Sequence, residues 1–193
     1  MSEVRYEDGL AAIEARLGHK ATKHCERVAA TAAALAVAYG ADADAARLAG
    51  LLHDWDRESA PEELLGEAKR AGIEITDADE ANPHLLHART GALAARAALP
   101  GLSEQVVQAI SRHTIGAPDM TPLDMVVYLA DMIEPRRDYP GVQELRDAVS
   151  AVSLGELFAL GYQMSMRHLV DARKRIHPQT VAVWNALVAG DRW

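Results

Sequence analysis

The 193-residue chain holds one cysteine, Cys25, and one phenylalanine, and aromatic residues of all kinds make up only 5% of it. One thiol closes no internal disulfide, so the fold must rest on burial alone, and a reducing cytoplasm is the compartment to expect. No apolar run approaches the roughly 20 residues that a bilayer span requires. The opening Met-Ser-Glu-Val-Arg-Tyr-Glu-Asp lacks the basic-then-apolar order of a secretory signal. Basic charge is short too: 20 Lys and Arg stand against 28 Asp and Glu, a formal net charge of −8. That deficit argues against a nucleic-acid or membrane-surface footprint, so an anionic ligand needs locally gathered Arg or Lys, or a bound metal. Also missing are a P-loop, a dinucleotide glycine fingerprint, a paired Cys-x-x-Cys and a Gly-x-Ser-x-Gly elbow.

Alanine, by contrast, is roughly a fifth of the chain, well above ordinary usage. A core of Ala, Leu and Val on closely packed helices follows from that composition. Helix signals recur from end to end. The first strong one covers Lys20 to Tyr39, with Gly40 as its stop. Asp42 or Asp44 caps a second, and Ser59 with Pro61 opens a third. Asn82-Pro83 opens a fourth that runs to Leu99, and Ser103-Glu104 a fifth that ends near His113. Thr121-Pro122 opens a sixth, closed by Pro135, and Pro140, Ser153 and Pro178 start three more. Gly72 to Thr76 is the only strand-like stretch, and it is read as a loop. Without repeat, low-complexity tract or linker, residues 1–193 are expected to form one all-α domain.

Several of the eight histidines lie on apolar stripes. His24 shares a face with Val28, Thr31, Ala32 and Leu35. His53 follows Ala46 and Ala49 at helical spacing, with Asp54 next. His87 precedes Gly91, Ala94 and Ala95. His113 shares its face with Val106, Ala109 and Ile110, and Asp131 follows Leu123, Val127 and Tyr128. Each could be satisfied separately by backbone or water, but six inward-facing polar groups on five helices are satisfied together by a metal centre. Imidazole and carboxylate suit Zn, Fe or Mn, and no thiolate set competes. Cys25 reads as a buried thiol. Four imidazoles and two carboxylates are too many for one tetrahedral zinc, but they fit two octahedral ions with positions left for water and substrate. His19 and His177 fall near helix ends, His84 in a first turn and His168 at a surface.

The order of His24, then His53-Asp54, then the distant Asp131 resembles the HD superfamily of metal-dependent phosphohydrolases. The intervening stretches Ala49–Asp54, Leu85-Leu86-His87, Ala109 to Gly116, Tyr128–Asp131, Ile133-Glu134-Pro135 and Tyr139–Val142 narrow the match. So do Ile176 to Thr180 and Asn185. The chain is similar, over Ala21 to Asn185, to the YqeK-type branch of bacterial symmetrical diadenosine tetraphosphate hydrolases. The resemblance implies a single HD-domain helical bundle with a di-metal site in its centre, usually iron, with manganese as the alternative. It implies hydrolysis of diadenosine tetraphosphate to two ADP. His24, His53, Asp54 and Asp131 would hold one ion, and His87 and His113 the other, with Asp54 shared. Arg57 stands where the family commonly has lysine, and Ile115 where a second threonine is usual.

On that basis the expected chemistry is attack by a metal-activated hydroxide next to the central bridge oxygen, with ADP as leaving group. Asp54 and Arg57 are the expected catalytic residues, Arg57 neutralising the developing charge. Arg57, Thr114, Gly116, Arg137 and Tyr139 are the expected substrate contacts, with Tyr139 and Trp55 as stacking candidates for adenosine. The expected partners are a small nucleotide substrate and a second copy of the chain as homodimer. Competing readings are an HD-type phosphatase or phosphodiesterase on another phosphate ester, a di-iron oxygenase, and a non-catalytic nucleotide sensor.

Overall fold

A computed structural model describes residues 4–190. Those residues form eleven α-helices and one 3-10 turn, with no strand among them. The helices are α1 (Tyr6–Arg16), α2 (His19–Tyr39), α3 (Ala43–Leu52), α4 (Pro61–Arg70), α5 (Asp77–Ala81) and α6 (His87–Ala98). They continue with α7 (Glu104–Arg112), α8 (Pro122–Ile133), α9 (Val142–Ala148), α10 (Leu154–Asp171) and α11 (Pro178–Ala189), and the 3-10 turn covers Pro83–Leu86.

Capping explains most of the boundaries. Asp42 accepts hydrogen bonds from the backbone of Asp44 and Ala45, both at 3.0 Å, and so starts α3. Thr121 and Asp124 cap each other across the first turn of α8, and Ser153 and Glu156 do the same for α10. Gly40 ends α2 in the left-handed region at φ 71°. Asp124 is fully buried and also accepts from Arg112 and Gln108. It therefore fixes the start of α8 against the end of α7, the two elements that carry Asp131 and His113.

Two expectations need correction, and two helices have no counterpart in the sequence reading. The helix expected from Asn82-Pro83 is divided, because a 3-10 turn occupies Pro83–Leu86 and α6 begins only at His87. Ser59 caps nothing, since Ala60 is the N-cap of α4 and offers no side-chain hydrogen bond. Helices α1 and α5 have no strong periodic signal: α1 buries only Gly9 and Ile13. The five-residue α5 is held by Thr76 and Asp79 in a reciprocal cap, with Arg89 and His177 on the Asp79 carboxylate.

The core follows from the alanine content. Helix α2 buries Val28, Ala29, Ala32, Leu35 and Ala36 and packs against α3, whose Ala45, Ala46 and Ala49 are also buried. Helices α7 and α8 complete the bundle, and α6 lies on α7. Small residues bring backbones close: a β-carbon at Gly50 would lie 3.0 Å from Ala29 Cα and 3.1 Å from both Ala29 N and Val28 O. At Gly91 it would meet the backbone nitrogen of Asp56 at 3.2 Å, so glycine lets α6 seat against the turn that follows His53. Tyr128, Phe158 and Tyr162 cluster with ring centroids 5.3 to 5.6 Å apart and join α10 to α8. The Tyr162 hydroxyl donates to the Ile115 carbonyl at 2.7 Å, and the Gln179 amide donates to the Gly116 carbonyl.

Because the atoms facing Gly50 are backbone, α2 and α3 can accept a methyl there only by moving apart. Gly50→Ala should lower unfolding free energy by about 1–3 kcal/mol despite alanine's higher helix propensity. A lower urea midpoint at unchanged slope is the expected readout.

Candidate metal centre

Three of the centre's histidines are presented in the same way. His53 is the C-cap of α3, His113 the C-cap of α7, and His87 follows the 3-10 turn. The last carbonyls of a helix lack an intrahelical donor. The Nδ1–H of each ring supplies one, to the carbonyl three residues earlier: Gly50 at 2.8 Å for His53, Ile110 at 2.7 Å for His113, and His84 for His87. That bond keeps a proton on Nδ1 and points Nε2 inward, the nitrogen left to ligate a cation. His24 achieves the same from mid-helix, its Nδ1 lying 3.3 Å from a carboxylate oxygen of buried Glu134.

The free nitrogens converge on two carboxylates. Asp131 Oδ1 lies 3.0 Å from His24 Nε2 and 3.9 Å from His53 Nε2. Asp54 Oδ2 lies 3.4 Å from His53 Nε2 and 3.7 Å from His24 Nε2. The other oxygen of Asp54 faces the opposite pair, 3.1 Å from His87 Nε2 and 3.7 Å from His113 Nε2. With metal–ligand bonds of about 2.0–2.2 Å, two ligands of one ion sit about 3–4 Å apart. The donors accordingly fall into overlapping groups, His24 with His53 and Asp131, and His53 with Asp54 and His113.

Two observations show that these residues suit a cation. His53 Nε2 is buried and has no hydrogen-bond partner, a costly state for a polar ring nitrogen with or without its proton. The Nε2 atoms of His87 and His113 face each other at 3.1 Å. With both ring protons on Nδ1 this sets two lone pairs against one another, an arrangement that a shared positive charge relieves.

The charges around the rings agree. Burial pulls the His53 imidazole down, but the Asp54 and Asp131 carboxylates hold it up at about 9. His113 is pushed down to about 4 by burial and by the neighbouring His53 and His87. Burial opposes the charged forms of Asp54 and Asp131, yet the imidazoles hold both well below the usual carboxylate range, with Arg137 adding to the effect on Asp131. Cys25 is buried, and burial pushes its thiol up, so it stays an inert core group.

A cavity of about 1120 Å³ opens over the imidazoles of His24, His87 and His113. Lys20, Lys23, Arg27, Arg57, Arg136 and Arg137 lie on its wall. Six of the chain's 20 Lys and Arg are thus gathered here, the local concentration that an acidic protein needs to hold an anion. Thr114 also lines it, its hydroxyl 3.1 Å from His113 Nε2 and 3.4 Å from His87 Nε2.

Of the residues singled out from the sequence, Asp54, Arg57, Thr114 and Arg137 reach this cavity, as do His24, His87, His113 and Asp131, with His53 beneath them. Gly116 and Tyr139 do not line it. Gly116 has φ 80°, and a β-carbon there would face Tyr162 and Val183. The Tyr139 hydroxyl donates to the Met132 carbonyl at 3.0 Å. Trp55 is not available for stacking either, because it is 4% exposed in the core, with the Arg16 guanidinium over its ring. Arg137 is bound to Asp131 through both the backbone carbonyl and the carboxylate, which gives it an orienting task. Sequence reading gave Glu134 and Arg27 no role. Arg27 donates to Glu134 at 2.7 Å, completing the chain Arg27–Glu134–His24 across 107 residues of sequence. Only the Ile133-Glu134-Pro135 tripeptide hinted at it.

An HD domain description matches residues 22–136. The symmetrical bis(5'-nucleosyl)-tetraphosphatase of Bacillus subtilis (strain 168) is 33% identical over 184 residues, which is 95% of this chain and 98% of that protein. The protein of the same name from Staphylococcus aureus is 32% identical over 79% of this chain and 77% of its own length. A crystal structure from Clostridium acetobutylicum, described as a "predicted HD superfamily hydrolase involved in NAD metabolism", superposes with a TM-score of 0.89. It is 32% identical and is covered over 97% of this chain and 99% of that one. With its histidines and aspartates on the same helical frame, the chain belongs to the HD-domain hydrolases, in the branch of the symmetrical bis(5'-nucleosyl)-tetraphosphatases.

Proposed function

We propose that this chain, working as one HD domain over 1–193, hydrolyses diadenosine tetraphosphate symmetrically to two ADP with a pair of divalent ions. The observation that carries the proposal is the two-faced Asp54 carboxylate. One oxygen is turned to His53 and His24 and the other to His87 and His113, at the floor of a cavity walled by cations. Near-full-length similarity to enzymes named for this reaction supports the choice of substrate.

In this reading His24, His53, Asp54 and Asp131 hold one ion and His87, His113 and Asp54 the other. Bound ions of this kind lower the pKa of water and polarise a phosphoryl oxygen. Imidazole and carboxylate donors accept both iron and manganese, and iron is proposed on the resemblance to the family. The chain's own residues orient and neutralise. Glu134 and the three helix-end carbonyls fix the rings, and the Arg137 guanidinium fixes the Asp131 carboxylate. Arg57 has no side-chain partner among the described residues and faces the cavity from the turn after Asp54, placed to neutralise phosphate charge. Thr114 offers a hydroxyl beside the reacting centre. Ala21, Tyr128 and Met132 supply the apolar wall, with the Ser165 hydroxyl at its edge, and this stretch suits a nucleobase better than Tyr139 or Trp55.

Product analysis tests the proposal. Chelator-free protein, given diadenosine tetraphosphate and ferrous iron under reducing conditions, should yield ADP alone on ion exchange. ATP plus AMP would overturn the position of attack, and no turnover with two metals bound would overturn the substrate. Asp54→Ala should drop metal content from about two per chain to below one and reduce turnover to background, because a shared ligand serves both ions. A pH test follows from His53. Held at about 9 without metal, its ring is protonated at pH 7, so loading metal there should release about one proton from it. Calorimetry in buffers of different ionisation heat should show that release fading as pH rises through 9. The same raised value stabilises the metal-free fold fully below its ordinary 6.5, and that contribution is lost as pH climbs through about 9.

A further inference from the structure

Three of the six cations on the cavity wall are already committed. Lys23 is 2.7 and 2.8 Å from the two carboxylate oxygens of Glu26. Arg27 is shared between Glu134 and the Lys23 carbonyl, and Arg137 is held on Asp131. The side chains of Lys20, Arg57 and Arg136 make no hydrogen bond or ion pair among the described residues, although all three line the cavity. Elsewhere Arg16, Arg89 and Arg112 each pair with a buried aspartate, Asp56, Asp79 and Asp124. Lys69, Arg167, Arg173 and Lys174 are likewise without side-chain partners among the described residues but lie away from the cavity, whereas Lys20, Arg57 and Arg136 share one cavity with the metal-ligating groups.

Arg57 is accounted for by its place beside Asp54, whereas Lys20 and Arg136 are not. Both are tied to His24 by separate elements. Lys20 lies four residues before His24 on α2, hence on the same helical face. Arg136 follows Glu134, whose carboxylate accepts the Arg136 backbone N–H at 2.8 Å and contacts His24 Nδ1. Each side chain is exposed and without a side-chain partner, so neither is needed to hold the fold.

We infer that Lys20 and Arg136 form a second phosphate subsite, on the His24 side of the cavity, that binds the phosphates of the departing nucleotide. The inference rests on the reading of the site as a polyphosphate hydrolase and deepens it. Metals and Arg57 serve the phosphorus under attack, while Lys20 and Arg136 hold the remainder of the chain. The subsite gives the site its preference for a long phosphate bridge over a single phosphate ester.

The test uses metal-loaded protein and a diadenosine tetraphosphate analogue whose central bridging oxygen is a methylene, so that binding is read without turnover. Lys20→Ala/Arg136→Ala should raise the analogue's Kd about tenfold or more, the loss expected for two charge-assisted contacts. The charge-conserving Lys20→Arg/Arg136→Lys should stay within about threefold of the parent. Unchanged metal content and melting temperature in the alanine pair would show that the fold is intact. A Kd within about twofold in the alanine pair overturns the subsite, as does failure of the parent to bind the analogue. The product analysis above separates the two ideas. ADP formation with an unmoved Kd overturns the subsite alone. A raised Kd without ADP formation supports the subsite while overturning the proposed reaction.

Discussion

Imidazoles and carboxylates crowded together inside a protein are costly to bury, and the helices here are arranged to hold six such groups around one point. The arrangement stands on one repeated bond, from a ring Nδ1–H to a helix-terminal carbonyl three residues back. It satisfies an orphan carbonyl and fixes a tautomer in the same contact. The consequence reaches far up the structure. Each such histidine must lie at the end of an element, so α3, the 3-10 turn and α7 all have to stop at the same point in space. The close approach of α2 to α3 at Gly50 and of α6 to the Asp54 turn at Gly91 brings those ends together.

Electrostatics then divides the molecule. The surface is acidic, while the cavity wall collects cations, and the buried carboxylates inside it are tied to imidazole or guanidinium. Glu134 is the clearest case. It is 3% exposed and would be expensive to bury alone, yet Arg27, the Arg136 N–H and His24 together hold it charged, below its ordinary value despite burial. A carboxylate behind a ligating imidazole raises that ring's basicity, so Glu134 serves the centre without entering it.

How much of this the sequence revealed depends on whether the cause is local. Helices α2, α7 and α8 carry their own periodicity and stops, and their limits lie within a residue or two of those read from sequence, while α10 begins where Ser153 caps it. The six inward-facing histidines and aspartates were legible because a polar group on an apolar stripe is a local anomaly. Glu134 was not, since its reason for being buried lies 107 residues away at Arg27. Tyr139 and Gly116 misled because closeness in sequence to a motif is not closeness in space. Gly116 turns towards Tyr162 and Val183, and Tyr139 caps the Met132 carbonyl. Helix α5 was invisible because it is too short to show a period and depends on Arg89 and His177 from other elements.

The last two helices stand outside the HD match, which ends at residue 136. Neither Tyr162 on α10 nor Gln179 at the start of α11 lines the cavity. Their hydrogen bonds end on the carbonyls of Ile115 and Gly116, directly after Thr114. The C-terminal third thus adds Arg137 and the Ser165 hydroxyl to the cavity wall, while Tyr162 and Gln179 serve it only by bracing the loop after Thr114. The segment that defines the family is consequently not a self-sufficient catalytic module: cut free at 136, it would keep all six metal-facing side chains but lose the scaffolding of one wall, and would bare Tyr128 where Phe158 and Tyr162 now cover it.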